Sequence, residues 1–268
     1  MRKFPVALSL FAALGLAACG GEDTPTKLPP AVVLEDPVGY FGMEPCTCYE
    51  YAPEDEWLAG KSDFSEKLGM AIENIGGQVQ FGRPLHIVRY RLMGTLNRVV
   101  RQEYLDPTDP ELLLYGVIPT GERNDPMWKF DPPASLVRGP VQSGTHVTMT
   151  LQTTKHTPPD TDEEGPEIRP TAQYRTEEEV EIGEWDEVEQ ISQRTTVTAT
   201  PIAYTGARDL GTDVWNGQVR WFVPERGFVK MTLDLAGESK SWVLVRTRKL
   251  AEEACTPTGA DPMDLCGS

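Results

Sequence analysis

The chain has 268 residues and a strongly acidic composition, with 41 Asp and Glu against 25 Lys and Arg and a formal net charge of −16. A surface of that sign repels phosphate backbones and anionic headgroups, so the composition argues against nucleic-acid binding and against electrostatic attachment to a bilayer. The length is ample for a sizeable core in one β-rich domain or two small ones.

The first 18 residues have the layout of a secretory signal peptide. A positively charged start, Met1-Arg2-Lys3, is followed by an apolar run over 6–14 and then by small residues. The run is shorter than the ~20 apolar residues that a spanning helix needs. We expect residues 1–18 to be removed on export, which would leave 23 basic and 41 acidic residues and a net charge of −18.

The end of this segment, Leu16-Ala17-Ala18-Cys19, resembles the lipobox of bacterial lipoproteins. In that family the peptide is cut before the cysteine, which becomes the acylated N-terminus. The resemblance implies several fatty-acyl chains such as palmitate on Cys19 and stable anchoring, since one chain alone binds only reversibly. Gly20 stands where Asp retains enterobacterial lipoproteins at the inner membrane, which favours the outer membrane. An ordinary secretory signal with Cys19 there by coincidence is the alternative.

The rest of the chain divides into three parts. Residues 19–39 are rich in Gly, Pro and acidic residues without periodicity, which predicts a flexible tether. We expect a β-dominated domain over 40–250 and a Cys-containing tail over 251–268. Within the domain, apolar residues at helical spacing over 64–75, ended by Gly76-Gly77, predict one helix.

From residue 78 onward the pattern is typical of short strands separated by turns. Alternating or β-branched runs occupy 86–92, 98–105, 112–118, 145–153, 176–189, 190–199, 218–223, 227–235 and 241–248. The Pro- and acid-rich stretch 156–170 predicts a mobile loop between them. Strands that recur every 8–15 residues with few helices predict a mainly β fold built from antiparallel strands.

One segment near the C-terminus resembles a recurring bacterial signature. Residues 221–230 (WFVPERGFVK) have an aromatic pair, a proline, two residues, a glycine and then an apolar residue, valine and lysine. Many uncharacterised lipoproteins and periplasmic β-proteins carry this pattern as a hairpin followed by one last strand, here over 242–245. Residues 130–133 and Gly144-Thr145 match the same group's passage into a central strand. The resemblance implies a curved antiparallel sheet or half-barrel.

Four cysteines remain after acylation of Cys19, and an even number in an exported protein suggests disulfides. They are Cys46, Cys48, Cys255 and Cys266. A Cys46–Cys48 bond would close a very small, strained ring, so we expect each of these two to reach one of the C-terminal pair. A local Cys255–Cys266 loop and a zinc site are the alternatives, although Cys-x-Cys is tighter than the usual zinc spacing.

Other candidate sites are weak. The histidines His86, His146 and His156 are scattered, and residues 143–146 lack the Gly-x-Ser-x-Gly elbow of hydrolases. Residues 160–165 (DTDEEG) resemble the start of an EF-hand loop, but Thr171 stands where a bidentate Glu is required. We interpret them as a solvated acidic loop, with weak Ca²⁺ association in a different geometry as the alternative.

Two further groups have a structural and a functional interpretation. Residues 177–179 (EEE) are either a charged strand start that resists aggregation or a docking patch for a basic partner. Five aromatic residues near the C-terminus are either core or the lining of a ligand cavity: Trp215, Trp221, Phe222, Phe228 and Trp242.

The sequence thus predicts a lipid-anchored envelope protein with a non-enzymatic structural or interaction role. The alternative is a carrier whose concave sheet face holds an apolar ligand such as a lipid. We expect no catalytic residue, cofactor or metal and no nucleic-acid partner, with the membrane contacted through the acyl chains; a protein partner is not identified.

Overall fold

The computed structural model describes residues 33–78, 81–94, 98–108, 110–119, 125–159, 161–186, 189, 191–206, 218–235 and 238–250, with the backbone alone over 73–78. The signal peptide, Cys19 and the tail 251–268 therefore lie outside the described residues. The described part begins at Val33, inside the predicted tether, and its first helix crosses the predicted boundary at residue 40.

The described residues form two short helices and 15 strands, which confirms the mainly β prediction. The helices are α1 (Pro37–Tyr40) and α2 (Glu54–Leu58). The first strands are β1 (Thr47–Pro53), β2 (Lys67–Gln78), β3 (Arg83–Met93), β4 (Arg98–Thr108), β5 (Glu111–Ile118), β6 (Met127–Arg138), β7 (His146–Thr148) and β8 (Leu151–Thr157). The others are β9 (Thr161–Ile168), β10 (Thr171–Tyr174), β11 (Glu178–Asp186), β12 (Ile191–Thr205), β13 (Val219–Val223), β14 (Gly227–Leu235) and β15 (Glu238–Lys249).

The strands belong to one open antiparallel sheet. Its order is β7-β10-β12-β13-β14-β15-β1-β2-β3-β4-β5-β6-β8-β9, and β11 pairs with β12 off this path. Most neighbours in the sheet are also neighbours along the chain, as short connections favour. The exception in the middle is the pair β1 and β15, which joins the first and last strands of the described chain from Thr47↔Lys249 to Pro53↔Trp242.

The sheet curls so far that strands near its two ends touch through side chains. The Tyr204 hydroxyl on β12 donates to the carbonyl of Leu136 on β6 over 2.8 Å. The Tyr174 hydroxyl on β10 accepts from the backbone N–H of Arg138 on β6 over 2.6 Å. No ladder of backbone pairs joins these described strands, so the sheet is a curved half-barrel and the predicted curvature is confirmed.

The helix predicted over 64–75 is wrong. Most of that segment is β2, which pairs with β1 from Thr47↔Ile72 and with β3 from Lys67↔Met93. Leu68, Met70 and Ile72 occupy every second position and are all buried, which is a strand pattern. The same segment also has apolar residues at helical spacing, so its sequence is compatible with both structures. Two flanking strands satisfy the backbone of β2 on both sides, which outweighs the local helical spacing.

The mobile loop predicted over 156–170 is wrong as well. Residues 161–168 form β9, which pairs with β8 and ends the sheet. Most of its side chains are exposed, including Asp162, Glu163, Glu164 and Glu167. Charged side chains on an edge strand discourage pairing with other chains, so an acidic composition is compatible with a strand at this position.

One face of the sheet carries the main hydrophobic core. Its large inward side chains, each at most 1 % exposed, include Phe41, Tyr51, Tyr90, Tyr174, Tyr204, Phe222, Phe228 and Trp242. The segment of α1 closes part of this core, because the ring centroid of Phe41 lies 6.2 Å from that of Phe222. Phe222 packs in turn at 5.9 Å on Phe228 across the β13–β14 hairpin.

The β11–β12 hairpin folds over the outer side of β15. Gly183 on β11 sits so close to β15 that a Cβ there would lie on the carbonyl of Val245. The Ser192 hydroxyl donates to the same carbonyl over 2.5 Å. Trp57 of α2 fixes the hairpin from the side, since its indole N–H donates to the carbonyl of Glu181 over 3.0 Å and Arg194 stacks on its ring at 4.2 Å.

Candidate functional site

A charged network lies at the centre of the concave face. Glu103 on β4 and Arg220 on β13 meet in a two-point ion pair, with Arg220 Nη1 3.0 Å from Glu103 Oε2 and Nη2 bonded to Oε1. Arg101 Nε donates to Glu103 Oε1 over 2.7 Å, and the Tyr90 hydroxyl donates to Oε2 over 2.9 Å. Arg101, Glu103 and Arg220 are at most 1 % exposed, so this network is buried from solvent.

Glu103 and the two arginines stay charged in the interior because the carboxylate lies within hydrogen-bonding distance of both guanidinium groups. Burial by itself raises the pKa of Glu103, but the guanidinium groups of Arg220 and Arg101 overcome that effect and lower it to about 2. Burial lowers the pKa of Arg220, and the Glu103 carboxylate more than reverses this. The Phe228 ring, 5.1 Å from the Arg220 guanidinium, adds a cation–π contact.

Arg101, Glu103 and Arg220 were not among the residues predicted from the sequence. Arg101 and Glu103 are two apart within β4 and therefore lie on the same face of the strand, together with the buried Leu105. Two opposite charges at alternate positions of a strand, followed by an apolar residue on the same face, could have indicated a buried ion pair. Arg220 could not be matched to it, since its strand lies six places away in the sheet.

One cleft among the described residues is lined by charged, aromatic and aliphatic side chains together. It has a volume of about 560 Å³ and lies beside the β13–β14 turn, β11 and β15. Four of its charged residues form two ion pairs: Arg226 Nη2 lies 2.7 Å from Glu184 Oε1, and Lys249 bonds Glu44. Ion pairs in the lining of a cleft do not favour an apolar ligand.

A row of register-paired residues crosses the outer face of β15, β1, β2 and β3. Arg248 lies opposite Cys48. Cys48 lies in turn opposite Ala71, and Ala71 lies opposite Arg89. Directly opposed residues share a face, and Tyr51 on β1 points inward to the carbonyl of Phe228, so this row points outward.

A second outward row runs parallel to the first, about 7 Å away at ordinary strand geometry. Arg246 lies opposite Glu50, with Nη1 3.5 Å from Oε1. Glu50 lies opposite Gly69, and Gly69 lies opposite Arg91. The Lys67 ammonium lies 3.8 Å from the other oxygen of Glu50. We call Arg89, Arg91, Arg246 and Arg248, all half-buried, the cationic face.

The two described cysteines have different environments. Cys46 is a free, half-buried cysteine at a left-handed turn (φ 63°) just before β1, so its predicted bond to the C-terminal pair is absent. The turn takes Cys46 out of the strand alternation that sets Cys48 outward. Cys48 is 1 % exposed. Cys255 and Cys266 lie outside the described residues, so the pairing of Cys48 stays a prediction.

The three histidines lie on separate strands. His86 is on β3, where burial lowers its pKa, and His146 is exposed on the edge strand β7. His156 on β8 is the one with a carboxylate partner, since its Nδ1 lies 2.6 Å from Asp162 Oδ1 on β9. The Lys129 ammonium lies 3.4 Å from the same oxygen, which makes the arrangement an ion cluster that anchors the edge strand.

The acidic stretches are parts of strands. Asp160 lies outside the described residues, and the rest of 160–165 is in β9, an extended conformation unlike an EF-hand loop. Among the described residues, no group of three or more His, Cys, Asp or Glu could hold a metal ion. Residues 178–179 begin β11, which confirms the strand-start interpretation of the glutamates.

The aromatic residues near the C-terminus divide between the two faces. Phe222, Phe228 and Trp242 are at most 1 % exposed and belong to the core, while Trp215 lies outside the described residues. Trp221 is on the outer face, where its indole N–H donates to Glu178 Oε2 over 2.9 Å and Lys230 stacks on its ring at 4.3 Å. Residues 221–230 do form the expected hairpin, with Gly227 at a positive φ of 76°.

No helix in the described ranges is long and apolar enough to cross a membrane. No protein-family model and no curated protein matches the chain. Among solved structures, the chain is similar to a protein from Bacteroides fragilis NCTC 9343 that has a YmcC-like fold and is thought to be exported. The superposition has a TM-score of 0.40 at 10% sequence identity and covers 78% of this chain and 99% of that chain.

Proposed function

We propose that the protein is a lipid-anchored component of the cell envelope that acts by structural support or by interaction, without enzymatic activity. The proposed location in the cell envelope is based on the signal-like residues 1–18 and on the lipobox-like segment that ends in Cys19. The acidic domain gives no electrostatic attraction to anionic headgroups, which leaves the acyl chains as the membrane contact. Gly20 favours the outer membrane.

The side chains that fill the concave face are the observation that argues against a carrier role. A carrier for an acyl chain needs an apolar cavity there, whereas this face holds aromatic side chains packed around the buried pair of Glu103 and Arg220. An apolar ligand that displaced them would separate two buried charges, which costs several kcal/mol. The described interior therefore supports a stable scaffold that presents its outer surfaces.

The lipid anchor is tested in bacteria that express the full chain and are grown with a fatty-acid probe. We expect label in the natural protein and in a Cys46→Ala control, which removes a described free cysteine, and no label in Cys19→Ala. Membrane fractionation should place the labelled protein in the outer membrane. Incorporation of the probe into Cys19→Ala would refute the anchor.

The role is tested by native mass spectrometry of the Cys19→Ala chain. We expect the mass of the polypeptide alone. A co-purified lipid at one per chain would instead support the carrier alternative. A Phe228→Ala variant is compared with it, because this change leaves a cavity in the concave face beside Arg220. If the face does hold a lipid, the fraction of chains with bound lipid should rise in this variant.

A further inference from the structure

The cleft of about 560 Å³ lies in a gap between two strands that are paired elsewhere along their length. The ladder between β14 and β15 ends at Lys230↔Val243, although β14 begins at Gly227 and β15 continues to Lys249. Beyond that point β15 stays paired with β1 and β14 stays paired with β13, so the two pairs of strands diverge. Residues 183–185 of β11 line this gap and form one wall of the cleft.

The cleft contains a buried polar group without a partner. Thr47 lines the cleft and is 3 % exposed, and its hydroxyl makes no hydrogen bond within the described structure. A buried hydroxyl in this state costs about 1–3 kcal/mol, part of which a ligand that bonds it recovers. The half-buried Trp185 and the buried Leu244 line the same space, so a ligand there also meets apolar surface.

A second cleft, of about 450 Å³, adjoins the first. Glu44 and Glu225 line both clefts, and Glu35 and Asp36 line the second one beside Tyr40. The backbone N–H of Glu225 donates to the carbonyl of Tyr40 over 2.8 Å, which fixes the wall that the two clefts share. We call the two clefts together the acidic groove.

The acidic groove has more carboxylates than cations among its described lining residues. Two of its five carboxylates belong to the ion pairs with Arg226 and Lys249. Glu35, Asp36 and Glu225 have no cationic partner in the described structure, and Asp36 accepts one backbone N–H. A cleft lined by one sign of charge attracts ligands of the opposite sign.

Glu225 holds its place in the groove at a cost in backbone energy. It lies in the turn that the backbone N–H of Arg226 closes by donating to the carbonyl of Val223 over 3.1 Å. Its φ of 67° is in the left-handed region, which costs a residue of this kind about 1 kcal/mol. Asn adopts that conformation more readily than Glu, so this position is not the most stable one available to the turn.

We propose that the acidic groove binds a short basic peptide segment of a partner protein. A Lys or Arg side chain of the segment pairs with Glu225, and its aliphatic stem packs against Trp185. A backbone group of the segment bonds the Thr47 hydroxyl. A peptide supplies both cations and carbonyl acceptors, whereas a polyamine supplies donors alone. The inference deepens the interaction role proposed above and does not depend on the lipid anchor.

The test uses the mature chain, residues 19–268, with Cys19→Ala, and a fluorescent peptide of sequence Lys-Gly-Lys-Gly-Lys. Fluorescence anisotropy should show saturable binding that weakens as salt is added. A Glu-Gly-Glu-Gly-Glu peptide should not bind. Tighter binding of spermine than of the lysine peptide would assign the groove to a polyamine and overturn the proposal.

Glu225→Gln should weaken binding of the lysine peptide about tenfold or more, because it removes a charge-assisted hydrogen bond. Glu163→Gln makes the same change of charge on the exposed edge strand β9 and should leave the affinity unchanged. Glu225→Asn should weaken binding as much as Glu225→Gln does while it raises the free energy of unfolding, since Asn tolerates the left-handed backbone.

Thr47→Val should weaken binding about threefold without a loss of stability, because the hydroxyl has no partner in the described structure to lose. No binding of the lysine peptide at about 1 mM would overturn the proposal. Equal affinity of the natural sequence and Glu225→Gln for the peptide would overturn it as well. Fatty-acid labelling and bound lipid are measured in separate experiments, so failure here is distinguishable from failure of the proposed envelope role.

Discussion

Arg220 and Glu103 form a buried two-point ion pair between strands β13 and β4, which lie six places apart in the sheet. Such a pair forms only if the sheet curls enough to bring these strands face to face. The pair is therefore both a consequence of the curvature and a specific link across the concave face. Arg101 and Tyr90 complete the hydrogen bonding of the carboxylate, which offsets the cost of burying it.

Glu103→Gln should destabilise the protein strongly. The amide keeps the shape of the side chain but removes the carboxylate that faces the buried Arg220 guanidinium, which costs about 3–5 kcal/mol. Urea unfolding followed by tryptophan fluorescence measures this loss. Glu167→Gln is the control, because its carboxylate pairs with Arg169 on the surface and should change stability by less than about 0.5 kcal/mol. Equal midpoints for the two variants would contradict the role of the network.

Stability should fall in acid because of the same carboxylate. The pKa of Glu103 is about 2 in the folded state against an ordinary value of 4.5, so the ionised form is favoured by folding. Its contribution is fully present above pH 4.5 and is lost as the pH falls through about 2. Urea unfolding between pH 5 and 2 should show a slope about one proton steeper for the natural protein than for Glu103→Gln. Parallel curves would contradict the lowered pKa.

The strand pattern was predictable where alternation was local. The segments around β3, β4, β14 and β15 alternate clearly, and their turns contain Gly or Pro, so each carries its own signal. β2 carries both a strand and a helix pattern, and only its pairing with β1 and β3 decides between them. The acidic β9 was missed because its side chains reflect an exposed edge position rather than a buried face.

The candidate surfaces were less predictable than the fold. Arg89 and Arg248 are far apart in sequence and become members of one row only through the register of three strand pairs. Glu103 and Arg220 need the curvature of the whole sheet as well. Register between strands that are distant in sequence depends on how their buried faces pack together, which the alternation within one strand does not show.

Gly183→Ala should detach or shift the β11–β12 hairpin. The added methyl group would overlap the backbone of β15 at Val245, and backbone cannot move aside as a flexible side chain can. We expect a loss of about 2–3 kcal/mol in the free energy of unfolding and faster hydrogen exchange in β11. Gly82→Ala is the control: its Cβ would point into open space at a φ of 66°, so it should cost only the ~1 kcal/mol of left-handed backbone strain. Equal decreases in the free energy of unfolding for the two variants would show that the close contact between Gly183 and Val245 does not affect stability.

Tyr174→Phe should loosen the line along which the two ends of the sheet meet. The Tyr174 hydroxyl accepts from the N–H of Arg138, so its removal leaves a partly buried donor unpaired and should cost about 1–3 kcal/mol. Hydrogen exchange should accelerate at Arg138 and along the end of β6, while strands β14 and β15 on the far side keep their protection. Tyr115→Phe removes a hydroxyl that bonds Arg83 near the surface and should change stability by less than about 0.5 kcal/mol. If the exchange at Arg138 were the same in the natural protein and in Tyr174→Phe, the tyrosine contact would not be what holds the curled sheet together.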